Sequence, residues 1–141
     1  MKSKPVLHHV GIVQPTEDDA QALMAVLSLK EDYRGFVPIW SALCIFTTAN
    51  GRSPIEFVIP QGGPLAKFNK GAGGLHHIAI ETPNLSKLAF DLEGDGMKLL
   101  EPEPIKGAGS FLCNFLSPIY TRGLTVEFVQ IIDPSRAKNA I

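Results

Sequence analysis

The sequence predicts an α+β fold in which a single domain is built from two βαβββ modules. Two paired phrases and the runs between them predict it. Leu7-His8-His9-Val10-Gly11-Ile12 returns as Leu75-His76-His77-Ile78-Ala79-Ile80. Ile55-Glu56-Phe57-Val58 returns as Val126-Glu127-Phe128-Val129. Between these phrases each half carries one helical stretch and two further strand-like runs, so a repeat of half the chain is the organising unit. The domain, residues 1–141, divides into a first module over 6–62, a linker over 63–74 and a second module over 75–131.

Each element has a local reason. Residues 6–13 run apolar and read as a strand, broken by Pro15-Thr16. Thr16 is an N-cap candidate, and Glu17, Asp18 and Asp19 fall in the first turn, where the helix dipole favours negative charge. Ala20, Leu23, Met24 and Leu27 recur at helical spacing, which predicts a helix over 17–28. Strand-like runs follow over 34–39, 42–48 and 54–60, with Asn50-Gly51 as a hairpin signal between the last two. Pro64 opens a short helix over 64–68, and Gly71-Ala72-Gly73-Gly74 forms the joint between modules. The second module reads as a strand over 75–82, a helix carrying Leu85, Leu88, Ala89 and Leu92 closed by Gly94 or Gly96, and strands over 97–101, 110–116 and 124–131. A polar, frayed tail is expected from Asp133.

Composition narrows the function classes. The chain is 45% hydrophobic and 19% charged, with a formal net charge of -1. No basic tract is present, so nucleic acid and anionic membrane surfaces are not expected partners. No apolar run is long enough for a transmembrane helix, and His8 and His9 interrupt any signal-like core after the charged N-terminus. The expected location is cytoplasmic. Cys44 and Cys113 fall at equivalent places of the repeat and are expected to be small buried hydrophobes rather than a disulfide.

Strand alternation sorts the repeated residues. Ile55, Phe57 and Ile59 share one face, and Val126 and Phe128 likewise. That bulky face packs on the helices. The opposite face carries His9, Glu56, His77 and Glu127 among smaller residues such as Gly11, Val58 and Ala79, so it can border a cavity. Strict alternation puts His8 and His76 on the helix-packing face or its rim. A glutamate between apolar neighbours, twice, is costly to bury without a partner. One cation shared by both modules supplies that partner. Two imidazoles and two carboxylates are a mixed, fairly hard donor set, suited to Co²⁺, Ni²⁺, Mn²⁺, Zn²⁺ or Fe²⁺ with open positions. Such an ion polarises a carbonyl and stabilises the adjacent enolate, and a nearby glutamate can take the proton that leaves.

These phrases, with Glu103-Pro104-Ile105-Lys106-Gly107-Ala108-Gly109 and Phe115-Leu116-Ser117-Pro118 in the second module, resemble the vicinal oxygen chelate superfamily. That group includes glyoxalase I, extradiol dioxygenases and antibiotic-resistance proteins, and the likeness over residues 6–131 is greatest to its methylmalonyl-CoA epimerase-like members. The resemblance implies a curved, barrel-like mixed sheet around a metal cup, with His9, Glu56, His77 and Glu127 as ligands. It implies an isomerase or lyase working through an enolate, with Glu127 as both ligand and base, on a small-molecule substrate such as an acyl-CoA. Epimerase-like chains often carry a second carboxylate after the Val-Pro of the second strand. Here Val37-Pro38 is followed by Ile39-Trp40, so Glu31 or Asp32 would have to reach in; Trp40 is a candidate cavity wall. Two rival expectations are a glyoxalase I-like lactoylglutathione lyase and a non-catalytic protein of the same fold that binds a small molecule or antibiotic. Exposed sheet edges lead to the expectation of a homodimer.

Overall fold

The computed structural model describes residues 5–132, so the tail from Asp133 lies outside the described residues. The first half holds β1 (Leu7–Val13), α1 (Glu17–Val26), β2 (Glu31–Val37), β3 (Ala42–Thr47) and β4 (Ile55–Pro60). The second holds β5 (Gly74–Glu81), α2 (Leu85–Gly94), β6 (Ile105–Lys106), β7 (Phe111–Leu116) and β8 (Thr125–Ile131). All the strands join one mixed sheet in the order β2-β3-β4-β1-β5-β8-β7-β6.

The order is symmetric about its centre. β1 and β5, the His-His strands, pair antiparallel; each then pairs in parallel with the glutamate strand of its own half, β4 or β8. The sheet curls into a nearly closed barrel. At Gly35 in β2, an added Cβ would lie 2.6 Å from the carbonyl oxygen of Ala108, and at Gly109 it would lie 2.5 Å from the Tyr33 hydroxyl. The loop after β6 therefore seats against β2, and the two edges meet across glycines that leave room for backbone contact.

The helices cover the convex face, as the alternation predicts. Ala20 and Met24 of α1 pack on Ile45, Phe57 and Ile59. Thr16 caps α1, its Oγ1 accepting from Asp19 N–H at 3.1 Å, and Asn84 caps α2 through Lys87 N–H at 3.0 Å. Asn50 and Gly51 both have positive φ (50° and 78°), the turn conformation their sequence signals. Gly73 makes the joint between halves possible: a Cβ there would lie 2.4 Å from the Val13 carbonyl oxygen, and its φ is 76°. Both cysteines are free and buried. Among the described residues, no helix is long and apolar enough to cross a membrane.

Several element boundaries differ from expectation: β2 already begins at Glu31, α1 ends at Val26, and the 3-10 turns opened by Pro64 run to Gly71. β2 ends at Val37, because Pro38 opens a 3-10 turn over Pro38–Trp40. Residues 97–101 form no strand: Leu99 makes one isolated bridge to Leu116, and β6 lies instead at Ile105–Lys106. Pro102 and Pro104 remove the amide donors that a continuous ladder would need.

Candidate metal centre

The four central neighbours β4, β1, β5 and β8 each deliver one ligand-type side chain to the concave face, all from one chain. His9 Nε2 lies 3.2 Å from Glu56 Oε1 and 3.2 Å from Glu127 Oε1. His77 Nε2 lies 3.2 Å from Glu56 Oε1 and 3.0 Å from Glu127 Oε1. The two Nε2 atoms are 3.2 Å apart, and all four donor atoms lie within 4.8 Å of one another. The four residues are buried, none more than 4% exposed.

The register explains the convergence. Gly11 lies opposite Glu56 in β4 and His77 in β5, and Ala79 lies opposite His9 in β1 and Glu127 in β8. The smallest side chains thus sit where the imidazoles must fold over the sheet. A Cβ on Gly11 would fall 2.0 Å from His77 Cε1.

The donor set fits a divalent ion. With bonds of about 2.0–2.2 Å, ligand atoms lie about 2.8–3.1 Å apart at right angles and about 3.3–3.6 Å apart in a tetrahedron. The observed spacings of 3.0 and 3.2 Å lie at the upper end of the first range and between the two. Glu56 Oε1 is buried and accepts no well-aligned hydrogen bond, although both Nε2 atoms stand 3.2 Å away. A buried carboxylate oxygen left without a partner beside two imidazole nitrogens is what a shared cation would satisfy. Two buried carboxylates carry a double negative charge, which a divalent ion would offset once the imidazoles coordinate as neutral ligands.

The electrostatics follow from the same crowding. Burial works against the imidazolium of His9, but Glu127 and Glu56 outweigh it and raise its pKa to about 9. His77 is raised to about 10 in the same way. Burial would raise the carboxyls, yet the imidazoles hold both Glu56 and Glu127 below the usual carboxylate range. Burial pushes the Cys44 and Cys113 thiols up, with Glu56 and Glu127 adding to the effect, so neither is a nucleophile.

His8 and His76 depart from strict alternation. Across the β1–β5 pair, Leu7 faces Ile80 while His9 faces Ala79, so His8 is an extra residue. Gly11 faces His77 while Ile12 faces Leu75, so His76 is extra in the same sense. Each is the bulged residue of a β-bulge, which re-aims its side chain. His8 Nδ1 lies 2.7 Å from His9 Nδ1, and His76 Nδ1 lies 2.8 Å from His77 Nδ1. Burial first, then the neighbouring histidine, lowers the pKa of both, that of His76 to about 4.

Aromatic rings wall the cup in matching pairs. Phe46 stands 5.0 Å from the His9 ring and stacks on Tyr33 at 4.8 Å; Phe115 stands 6.1 Å from the His77 ring and meets Trp40 at 4.8 Å. A cavity of about 200 Å³ opens beside His77, lined by His76, Trp40, Val58, Leu65, Leu100, Glu101, Phe115 and Thr125. Trp40 is therefore both packing and wall. Glu31 does not reach in: Arg34 holds it on the surface at 2.6 and 2.9 Å, and Asp32 is exposed. Lys106 bonds the Gly107 and Gly109 carbonyls of its own loop, and neither it nor Arg122 lines this cavity.

Sequence reasoning missed Glu101, the one acidic residue that lines this cavity. Its signal was Asn114, a polar residue in the apolar run Phe111-Leu112-Cys113-Asn114-Phe115-Leu116. Asn114 is buried, accepts from the Glu101 and Phe115 amides at 3.0 and 2.8 Å, and donates to the Glu101 carbonyl at 3.0 Å.

Residues 8–115 match the glyoxalase/bleomycin resistance protein/dioxygenase superfamily. Over 130 residues the chain is 32% identical to the mitochondrial methylmalonyl-CoA epimerase of Homo sapiens, an alignment covering 88% of this chain and 73% of that protein. The methylmalonyl-CoA epimerase of Mycobacterium tuberculosis shares the fold with a TM-score of 0.85 at 21% identity, over 97% of each chain. A Streptomyces coelicolor methylmalonyl-CoA epimerase variant in complex with 2-nitronate-propionyl-CoA does so with a TM-score of 0.82 at 21% identity, over 93% of this chain and 100% of the other.

Proposed function

The chain belongs to the glyoxalase/bleomycin resistance protein/dioxygenase superfamily, in its methylmalonyl-CoA epimerase-like branch; from that premise we propose that it is a metal-dependent epimerase of an α-branched acyl-CoA such as methylmalonyl-CoA. The observation that carries the reading is the buried His9–Glu56–His77–Glu127 cluster bordering an apolar cavity at His77.

His9, Glu56, His77 and Glu127 hold the ion, one of Co²⁺, Ni²⁺, Mn²⁺, Zn²⁺ or Fe²⁺. Bound there, it supplies the positive charge that polarises a thioester carbonyl and stabilises the enolate. The remaining steps belong to side chains. Glu127 turns Oε1 toward the imidazoles, and its other oxygen takes the α-proton as general base. Trp40, Leu65 and Phe115 hold the alkyl branch and exclude water from the reacting carbon. Glu101, on the cavity wall, returns a proton to the opposite face and fills the role of the carboxylate absent after Pro38. A homodimer belongs to the same reading, and equilibrium sedimentation at twice the 15.3 kDa chain mass tests it.

Solvent exchange tests the chemistry. Metal-loaded protein in D₂O is expected to place deuterium at the α-carbon of methylmalonyl-CoA and to equilibrate its epimers. Glu127→Gln should stop exchange; Glu101→Gln should keep exchange on one face and lose epimerisation. His77→Ala should lose the ion, read by elemental analysis. No exchange by metal-loaded wild type would sink the epimerase. Product from methylglyoxal and glutathione would then select the lyase; retained metal with neither reaction would select a binding protein.

A further inference from the structure

His8 and His76 lie beside the metal cluster without belonging to it. Two bulges, one in each half, bring a second imidazole against the Nδ1 atom of each ligand histidine. The arrangement recurs across the pseudo-twofold, at the equivalent position of each repeated Leu-His-His phrase, although the two bulges interrupt the β1–β5 ladder at different places. A bulge interrupts the ladder at both places, and what each gains is this contact.

An imidazole that coordinates through Nε2 keeps its proton on Nδ1, and that N–H needs an acceptor. His8 Nδ1 stands 2.7 Å from His9 Nδ1, and His76 Nδ1 stands 2.8 Å from His77 Nδ1. We propose that His8 and His76 are positioning residues: each, as the Nε2–H tautomer, accepts from the Nδ1–H of its neighbour and fixes the ring so that Nε2 faces the ion. The inference rests on the metal reading above. Packing holds the acceptor rings in place, His8 edge-on to Phe111 at 5.2 Å and His76 edge-on to Phe68 at 4.8 Å.

The choice of acceptor has a chemical consequence. Ligand histidines commonly lean on a carboxylate or a backbone carbonyl, and a carboxylate makes the imidazole more electron-rich. A neutral imidazole orients the ring without adding negative charge. Glu56 and Glu127 already offset a divalent ion, so further charge would weaken it as a Lewis acid.

The test combines variants with the unaltered protein. His8→Phe and His76→Phe keep an aromatic ring but remove the acceptor; His8→Asn and His76→Asn keep an acceptor at the Nδ1 position. Each Phe variant is expected to bind Co²⁺ about 10–100-fold more weakly in chelator competition, with a shifted visible absorption band. The Asn variants should return toward wild type in both readouts, while the metal-free thermal midpoint does not follow this pattern. In Zn²⁺-loaded wild type, long-range ¹H–¹⁵N spectra should place the proton on Nε2 of His8 and His76 and on Nδ1 of His9 and His77. A Nδ1–H tautomer at His8 or His76, or Phe variants that match wild type in affinity and spectrum, overturns the positioning role and leaves the metal centre standing. Wild type that takes up no Co²⁺ overturns both.

Discussion

Gly11 is the residue on which the geometry of the centre turns. It lies between Glu56 and His77 in the sheet, and the space its side chain would fill is occupied by the His77 ring. Its φ lies outside the left-handed region, so the requirement is for space and not for backbone freedom. Gly11→Ala should displace the imidazole and weaken Co²⁺ binding by about tenfold or more, the scale of a misoriented ligand, while circular dichroism stays that of a folded sheet. Unchanged affinity would mean that the His77 ring has another seat. The shared face of the four cluster residues was legible in the sequence because alternation and repetition both act within a single strand. Glu56 between Ile55 and Phe57 declares its face without reference to any neighbour. His8 and His76 were not legible, since a bulge is a relation between the registers of two strands. One extra residue reversed the expected face of each.

At the scale of elements, the stretch between α2 and β6 shows how one polar side chain organises a segment that propensity misreads. Met97-Lys98-Leu99-Leu100-Glu101 looks like a strand, but Pro102 and Pro104 deny it a ladder. Asn114 in β7 takes over, bonding both the amide and the carbonyl of Glu101. Leu100 and Glu101 are thereby set into the cavity wall. Asn114→Ala leaves these buried groups without partners and should lower stability by about 1–3 kcal/mol, measured by urea denaturation. It should also raise KM while leaving Co²⁺ affinity unchanged, because no cluster ligand lies in that loop. Equal losses of metal and substrate binding would show that the segment supports the whole cup. The helices were legible from their caps and apolar spacing, as Thr16 and Asn84 illustrate. The cavity was not, because its walls come from seven separate stretches of chain.

For the molecule as a whole, the buried cluster makes folding and metal binding respond oppositely to pH. In the metal-free protein His9 and His77 have pKa values raised from 6.5 to about 9 and about 10 by the two carboxylates, against the effect of burial. A raised imidazole contributes stability that is fully present below pH 6.5 and is lost as pH climbs through the folded value. Glu56 and Glu127 are shifted down from 4.5, so their contribution is present above pH 4.5 and is lost as pH falls through their folded values. Metal-free protein is therefore expected to melt at its highest temperature between about pH 4.5 and 6.5, with a decline on either side. An ion must displace the imidazole protons, so its affinity rises with pH over the range in which the metal-free fold weakens. The increment in thermal midpoint produced by Co²⁺ should accordingly grow from about pH 5.5 to 8.5. Scanning denaturation of matched metal-free and Co²⁺-loaded samples measures both trends. A metal-free midpoint that rises above pH 6.5 would mean that the carboxylates do not hold protons on His9 and His77. An increment that shrinks with pH would mean that the ion binds elsewhere. Growth of the increment with a falling metal-free midpoint ties both effects to the same four side chains, brought together by the curl of the sheet from strands that the sequence places half a chain apart.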